Sequence, residues 1–283
     1  MMNSDSLKFK IKNKSKKENV SPQDLMQMYF FERLLFRISV SNYKNNFILK
    51  GGLLLASIIG EERRTTQDMD TMIKGIELTR DNLMEIVTNI INISCDDDII
   101  FKIIKIEDIR LQDIYGGLKV YLEGFKDEIR VSLTIDVTVG DPIIPREIVF
   151  KYKSMFDDGY IKIMAFTKES IIAEKFQTLL ATTVGNTRAK DFYDMYMLIN
   201  NHFEDINKNN LITAIRRTFA RRETLYLLDE VDSLFEIIKA SERLQKNWEK
   251  YQIRYSFSRD ITYEHIMNSI GFIVSLLERI KVG

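Results

Sequence analysis

The sequence predicts an α+β protein, in which a mixed sheet with flanking helices is followed by a helical bundle. In the first half, short apolar runs typical of strands alternate with amphipathic segments, whereas the chain after Thr167 has helical periodicity almost throughout. At 283 residues, 45% hydrophobic and 29% charged, the chain is long enough for two domains. We predict a flexible basic tail over residues 1–20, a first domain over residues 21–160 and a helical domain over residues 161–283.

The individual elements follow from periodicity and boundary residues. Ser21 and Pro22 begin a helix, NFILK is a short buried strand, and GLLLASIIG is a helix that ends near Gly60. DMDTMIKG alternates as a strand does, and Thr79 caps the next helix. Further strands are predicted at DIIFKIIKIEDI, GGLKVYLEGF and IRVSLTIDVTVG, and then a hairpin joins EIVFKYKS to YIKIMAF. Five helices complete the chain: KESIIAEKFQTLLATT, AKDFYDMYMLINN, NKNNLITAIRRTFARR, DEVDSLFEIIKASERLQKNWEKYQ and TYEHIMNSIGFIVSLLERI.

Composition excludes several kinds of site. Cys95 is the single cysteine, and the two histidines, His202 and His265, are far from the other polar motifs, so a zinc site or a histidine-centred triad is not expected. The N-terminal segment lacks the apolar core of a signal peptide and no apolar run has the length of a membrane span, so we expect a cytoplasmic protein without membrane contact. Acidic and basic residues balance at 41 each, so any nucleic-acid surface must be local, for example in the lysine-rich N-terminal segment or in IRRTFARRE.

Three aspartates lie on predicted strands. Asp68 and Asp70 point to the same face of one strand, about 7 Å apart, and Asp136 faces away from its apolar neighbours in TIDVT. If the two strands are neighbours, three carboxylates converge and provide the hard oxygen ligands that Mg²⁺ prefers. Such a site supports in-line phosphoryl displacement. Taken singly, an Asp-x-Asp pair is more often a solvated strand edge, and Asp136 alone is also explained as an edge-strand charge.

Two glycines separate a predicted strand from the helix that follows it. Gly51 and Gly52 have no side chains, so a triphosphate can approach the backbone N–H groups at the helix N-terminus. A lone Gly-Gly pair is more often a simple turn. The order of glycines, Asp-x-Asp strand and third aspartate favours nucleotidyl transfer over those separate explanations.

These residues resemble the first motif of the nucleotidyltransferase superfamily that includes DNA polymerase β, and more closely the AbiEii toxin family. That family has Gly-Gly followed by Arg-x-Ser/Thr-x-Asp-x-Asp, then an Ala-x-Lys helix and an Arg-x-Lys-Asp-x-x-Asp helix. The resemblance extends from Lys50 to Leu198, with one departure, since Leu53 replaces the usual Thr or Ser after the glycines. The matching residues are Gly51, Gly52, Arg64, Thr66, Asp68, Asp70, Ala173, Lys175, Arg188, Lys190, Asp191 and Asp194.

The resemblance implies a role for each of these positions. The metal ligands would be Asp68, Asp70 and Asp136. The catalytic residues would be the same three aspartates with Lys175 and Asp191. The nucleotide-binding residues would be Gly51, Gly52, Arg64, Thr66, Lys175, Arg188, Lys190 and Asp194. For the last helix pair a structural explanation competes, because Lys-Asp and Arg-Asp pairs often join one helix to the next.

The resemblance also implies a biological role. The chain would be a monomeric, Mg²⁺-dependent toxin of an abortive-infection toxin–antitoxin system. It would transfer NMP from an NTP to RNA, with the tRNA 3′ end as the leading acceptor, and so block translation. Its antitoxin would be a DNA-binding repressor that acts without a stable complex.

Two alternative functions remain open at the level of sequence. The first keeps the reaction but changes the acceptor to a protein side chain. The second is a fold that binds nucleotide without catalysis and acts through association, and Leu53 is its only support in the sequence.

Overall fold

A computed structural model describes residues 2–60, 64–109 and 116–281 of the chain. The described structure separates into two compact units. The first comprises Met1–Asp141 and Glu147–Phe166, and the second comprises Pro142–Arg146 and Thr167–Gly283. The predicted domain limits of 21–160 and 161–283 stay a prediction about folding domains.

The first unit is built on a seven-stranded mixed sheet. The strands are β1 (Phe47–Lys50), β2 (Met69–Ile73), β3 (Ile100–Ile109), β4 (Gly117–Lys126), β5 (Ile129–Thr138), β6 (Ile148–Lys153) and β7 (Tyr160–Ala165). Their order in the sheet is β3-β4-β5-β2-β1-β7-β6. The pairs β2–β5 and β1–β7 are parallel, and the other neighbouring pairs are antiparallel. The predicted mixed sheet, including the β6–β7 hairpin, is confirmed.

Helices cover one face of this sheet. On β4, Leu118, Val120 and Leu122 are buried, and Phe30 of the helix that begins at Pro22 packs so closely on Gly124 that a Cβ there would lie 2.4 Å from the Phe30 ring. The opposite face of β4 carries residues that are only half-buried. The helices of this unit are α1 (Ser4–Glu18), α2 (Pro22–Val40), α3 (Gly51–Ile59) and α4 (Arg80–Ile91).

Helix α1 corrects the prediction of a flexible tail over residues 1–20. The Asn3 side chain accepts the Ser6 N–H at 2.8 Å and so caps the first turn. Leu7 and Ile11, four residues apart, are both buried, and α1 packs against α2. Two buried positions among many lysines are too few to produce a clear periodic signal in the sequence, which explains the missed helix.

The second unit is helical, as predicted, although the single helix expected over DEVDSLFEIIKASERLQKNWEKYQ is two helices, because Ser241 caps a new helix after Lys239. Its first helix is capped by Thr167, whose hydroxyl also donates to the Ile144 carbonyl at 2.8 Å and thereby ties the Pro142–Arg146 segment to this unit. Trp248 is buried, and its indole N–H donates to the Ile261 carbonyl at 2.8 Å. The helices are α5 (Lys168–Thr182), α6 (Ala189–Asn201), α7 (Lys208–Arg221), α8 (Val231–Lys239), α9 (Glu242–Arg254) and α10 (Tyr263–Lys281). Within the described part of the chain, each helix is too short or too polar to cross a bilayer.

Candidate active site

The sheet register places two of the predicted aspartates side by side. Strands β2 and β5 run parallel as neighbours, and Asp70 pairs with Asp136 in their register. Residues paired in this way point to the same face of a sheet, on strands about 4.8 Å apart. The structure therefore brings Asp70 and Asp136 together on one surface, at the centre of the seven strands.

Asp68 lies just before β2 and interacts with the same group. The Thr66 hydroxyl donates to Asp68 Oδ1 at 2.7 Å and holds that carboxylate in place. The negative charge of Asp68 acts on Asp70 and also on Lys119, a lysine of the neighbouring strand β4. All three predicted carboxylates thus belong to one electrostatic cluster.

The two glycines allow helix α3 to begin directly against this cluster. Gly51 has a φ of +61°, a left-handed conformation that favours glycine, and a Cβ there would lie 1.9 Å from Asp70 Oδ2. A Cβ on Gly52 would lie 2.4 Å from Thr66 Oγ1 and 3.4 Å from Arg64 Nη2. Both glycines are therefore required by close packing, and three predicted site residues, Asp70, Thr66 and Arg64, lie against them.

The N-terminus of α3 already has an anionic partner. The Gly52 N–H donates to Asp70 Oδ2 at 3.1 Å, so the carboxylate occupies a position that was predicted to receive phosphate. Leu53 is fully buried, which explains why this position has no hydroxyl: its side chain points into the core. The glycines hold an aspartate at the helix end in this structure, and phosphate binding there stays a prediction.

Asp70 is electrostatically strained. Its pKa is raised above its usual range, first because burial disfavours the charged form and then because Asp68 and Asp136 repel it. The hydrogen bond from Gly52 and the charge of Lys50 oppose this increase without cancelling it. A carboxylate in this condition gains from the arrival of a cation.

Asp136 has a cationic partner in Lys119. The two residues are paired in the antiparallel register of β4 and β5, with Lys119 Nζ 2.8 Å from Asp136 Oδ1. Burial lowers the pKa of Lys119, but the hydrogen bond and charge of Asp136 outweigh it and raise the pKa overall. Lys119 has no distinguishing signal in the sequence, because only the strand register shows that it faces Asp136.

The donor set fits a hard divalent cation. Asp68, Asp70 and Asp136 supply only oxygen ligands, and their mutual repulsion is what a bound cation relieves. Over residues 2–60, 64–109 and 116–281 no three acidic, histidine or cysteine side chains already stand at the spacing of a complete metal site. The contacts explain this finding, because the three carboxylates are turned towards Thr66, Gly52 and Lys119 respectively.

A second charged group adjoins the cluster. Lys50, the last residue of β1, is paired with Asp70 in the strand register and lies 2.7 Å from Asp141 Oδ2. The Thr138 hydroxyl donates to the same carboxylate oxygen at 2.7 Å. Lys50 directly precedes the glycines in the sequence, and this adjacency was the available signal for its place in the site.

The remaining predicted residues lie in the second unit. Lys175 of α5 forms ion pairs with Asp191 and Asp194 of α6, at 2.6 Å and 2.8 Å. All three side chains are largely buried, and Asp194 is fully so. This geometry is that of a helix-to-helix tie, the structural alternative considered for this segment.

Arg188 and Lys190 differ from that group because both are exposed. Arg188 is the residue before α6 and Lys190 lies in its first turn. Their charges are accessible to an anionic ligand, whereas the charge of Lys175 is already paired.

Comparisons with known proteins identify the class to which this fold and site belong. The family model for the nucleotidyl transferase AbiEii toxin of type IV toxin–antitoxin systems matches residues 33–268. That match includes every predicted site residue of both units. The chain therefore belongs to the AbiEii nucleotidyltransferase toxin family, and the suspected resemblance is confirmed. No curated protein matches the chain.

Solved structures that match the chain do so at low identity. JHP933 from Helicobacter pylori is 16% identical, with 92% of this chain and 96% of that chain covered and a TM-score of 0.49. A candidate nucleotidyltransferase from H. pylori is 17% identical, with 92% and 99% covered and a TM-score of 0.49. An antigenic nucleotidyltransferase-like protein from Paracoccidioides brasiliensis is 13% identical, with 84% and 93% covered and a TM-score of 0.32. The family assignment rests on the family model alone.

Proposed function

We propose that this toxin-family nucleotidyltransferase transfers NMP from an NTP to an RNA acceptor, the tRNA 3′ end, and thereby blocks translation and growth. The observation that carries this proposal is the pairing of Asp70 with Asp136 on one sheet surface, beside Asp68 and the glycine-opened helix α3. The family match supports the transfer of a phosphorus-containing group. The RNA acceptor, the Mg²⁺ requirement and the effect on translation are parts of the proposal.

The proposed chemistry divides among the residues of the first unit. Asp68, Asp70 and Asp136 hold Mg²⁺, which supplies positive charge to the triphosphate when it is bound. The acceptor hydroxyl attacks the α-phosphorus, the bond to the β-phosphate breaks, and pyrophosphate leaves. Asp136 accepts the proton of the hydroxyl as it attacks. Arg64, Thr66, Gly51 and Gly52 surround the start of α3 and position the phosphates.

The family residues of the second unit have different proposed roles. Arg188 and Lys190 are exposed cations at the start of α6, and we assign phosphate contacts to them. Lys175, Asp191 and Asp194 are predicted by the family pattern to serve the nucleotide or the catalytic step. Their ion pairs support a structural role as well, in which the three side chains fix α5 against α6.

The partner proposals follow from the family. Its description as a type IV toxin–antitoxin system implies an antitoxin and a nucleotide substrate. We propose that the toxin acts as a monomer in the cytoplasm, as part of abortive infection against phage. We further propose that its antitoxin is a DNA-binding repressor that counteracts it without a stable complex.

The proposal is tested with radiolabelled NTPs. The purified protein is incubated with each of the four NTPs in turn, with purified tRNA, with total RNA or with total protein, and with EDTA as the control. We expect label in the tRNA fraction with one preferred NTP, and no label in the presence of EDTA.

The same assay decides between acceptors. Label retained in the protein fraction instead of the RNA would support NMP transfer to a side chain and overturn the RNA acceptor. If neither fraction is labelled and a folded Asp68→Ala variant remains as toxic as the parent, the enzymatic account is lost.

A further inference from the structure

The face of the sheet that carries Asp136 continues across three antiparallel strands as an accessible surface. On β4, Lys119, Tyr121, Glu123 and Phe125 are half-buried and alternate with buried residues. The register places these side chains beside Asp136, Thr134, Ser132 and Arg130 of β5 respectively. Towards β3 the same face reaches Lys105, opposite Tyr121, and Lys102, opposite Glu123. We call this surface, made by Lys102, Lys105, Lys119, Tyr121, Phe125 and Arg130, the β3–β5 platform.

Two aromatic rings on the platform do not pack in the apolar core. Tyr121 and Phe125 point away from the apolar layer that Val120 and Leu122 enter. A lysine ammonium lies over each ring: Lys105 Nζ is 4.4 Å from the centroid of Tyr121, and Lys102 Nζ is 5.2 Å from that of Phe125. Ring faces flanked by cations are the arrangement that binds the bases and phosphates of a single nucleic-acid strand.

Cations outnumber carboxylates on the platform by four to three when Asp136 is counted together with its partner Lys119. Its four cations are Lys102, Lys105, Lys119 and Arg130. Two carboxylates lie among them, since Lys105 pairs with Glu107 at 2.8 Å and Arg130 pairs with Glu123. Both of these pairs are solvent-exposed on the side of the cation, so they hold the cations only weakly and can be exchanged for phosphate contacts.

The platform leads to the proposed catalytic centre. Along β4 the platform extends from Phe125 to Tyr121 and then to Lys119, which pairs with Asp136. By strand geometry the Tyr121 row is about 7 Å from the row of Asp136, and Phe125 is about 13 Å further along. A strand whose 3′ hydroxyl lies at Asp136 would therefore have its preceding nucleotides over the two rings.

We infer that the β3–β5 platform binds the single-stranded 3′ end of the RNA acceptor, with bases stacked on Tyr121 and Phe125 and phosphates contacting the platform cations. The inference rests on the proposed function, because it assigns the acceptor of that reaction to a surface. It also predicts that base-paired ends are poor acceptors, since their bases are not free to stack on the rings.

The test is equilibrium binding of a short fluorescent single-stranded RNA, measured by anisotropy at low salt. Tyr121→Leu and Phe125→Leu remove a ring and keep an apolar side chain of similar bulk. We expect each variant to raise the Kd about tenfold, the loss of one base–aromatic stack. Tyr160→Leu is the matched control, since Tyr160 is an exposed tyrosine of β7 in the same sheet, and it should leave the Kd within about twofold.

Binding and transfer are measured on the same proteins, after circular dichroism shows that each variant is folded. The inference is supported if Tyr121→Leu and Phe125→Leu bind RNA more weakly than the parent and Tyr160→Leu does not. The two platform variants should also have a raised KM for tRNA at little-changed kcat. The inference is overturned if both variants bind RNA as the parent does, or if Tyr160→Leu loses as much. A parent that binds RNA through the two rings but transfers no label would leave the platform standing and remove the proposed reaction.

Discussion

At the scale of single residues, the clustered carboxylates of the site destabilise the folded protein. Asp70 lies between two other carboxylates in a partly buried position, and its raised pKa shows that the charged form is disfavoured there. Proteins keep such residues where function requires them, and replacing them commonly stabilises the fold. The cost at Asp70 is thus the clearest single-residue sign that the cluster serves a ligand.

Asp70→Asn should raise the melting temperature of the metal-free protein at neutral pH, on the order of a few degrees, and abolish transfer. The amide oxygen still accepts the Gly52 N–H, while the repulsion from Asp68 and Asp136 disappears. Because the folded-state pKa is raised, the carboxyl favours the folded state below its ordinary value of 3.8 and loses that contribution as pH rises through the raised value. The amount by which Asp70→Asn melts above the parent should therefore increase as the pH rises through the raised pKa of Asp70.

Thermal denaturation at several pH values measures this effect. Asp108→Asn is the control, since Asp108 is exposed and pairs only with exposed Arg80 within the described contacts. An Asp70→Asn variant that melts below the parent at neutral pH would show that the charged carboxylate stabilises the fold, contrary to the account.

Residue-level prediction from sequence depends on local patterns. The Gly51-Gly52 pair and the Asp-x-Asp pair of Asp68 and Asp70 are each short patterns in one segment of the chain, so both were recognisable, and their roles in catalysis stay a prediction. Their contacts were not predictable, because the hydrogen bond from Gly52 to Asp70 joins two elements through the fold. Lys119 had no local signal at all, since its relation to Asp136 exists only in the register of β4 and β5.

At the scale of elements, strands and helices with strong periodicity were predicted correctly. Alternation in β4 and β5 and the cap at Thr79 are local features, and the Thr79 side chain accepts the Asn82 N–H as expected. Helix α1 was missed because its stability comes from packing on α2 through Leu7 and Ile11, a tertiary effect that a lysine-rich segment does not reveal.

The pairing of α5 with α6 supports a prediction of its own. Lys175→Met should destabilise the protein by about 3–5 kcal/mol, because it leaves the buried carboxylates of Asp191 and Asp194 without the ammonium between them. Urea unfolding measures the change. Lys190→Met, an exposed neighbour on α6, should stay within about 0.5 kcal/mol of the parent.

This comparison separates a structural from a nucleotide-binding lysine. A Lys175→Met protein that unfolds at the same urea concentration as the parent, and yet loses NTP binding, would contradict the structural role. Lys190→Met should show the opposite pattern, with unchanged unfolding and weaker NTP binding.

At the scale of the whole molecule, the chain has equal numbers of acidic and basic residues and forms two units of different architecture. The first unit holds the mixed sheet and the acid cluster, and the second holds helices with the remaining family residues. The fold class and the family were predictable because ordered motifs span most of the chain. The proposed acceptor surface was not predictable, because lysine-rich α1 and the arginines of α7 are conspicuous in sequence, whereas the platform is formed only when β3, β4 and β5 are paired.

The central claim is that Asp68, Asp70 and Asp136 together hold one divalent cation. The most direct measurement is equilibrium binding of Mn²⁺, used as a paramagnetic substitute for Mg²⁺, to the parent and to Asp136→Asn, followed by electron paramagnetic resonance. We expect that the parent binds Mn²⁺ and that Asp136→Asn, with its fold intact, binds it about tenfold or more weakly. Equal Mn²⁺ affinity in the two proteins would contradict it.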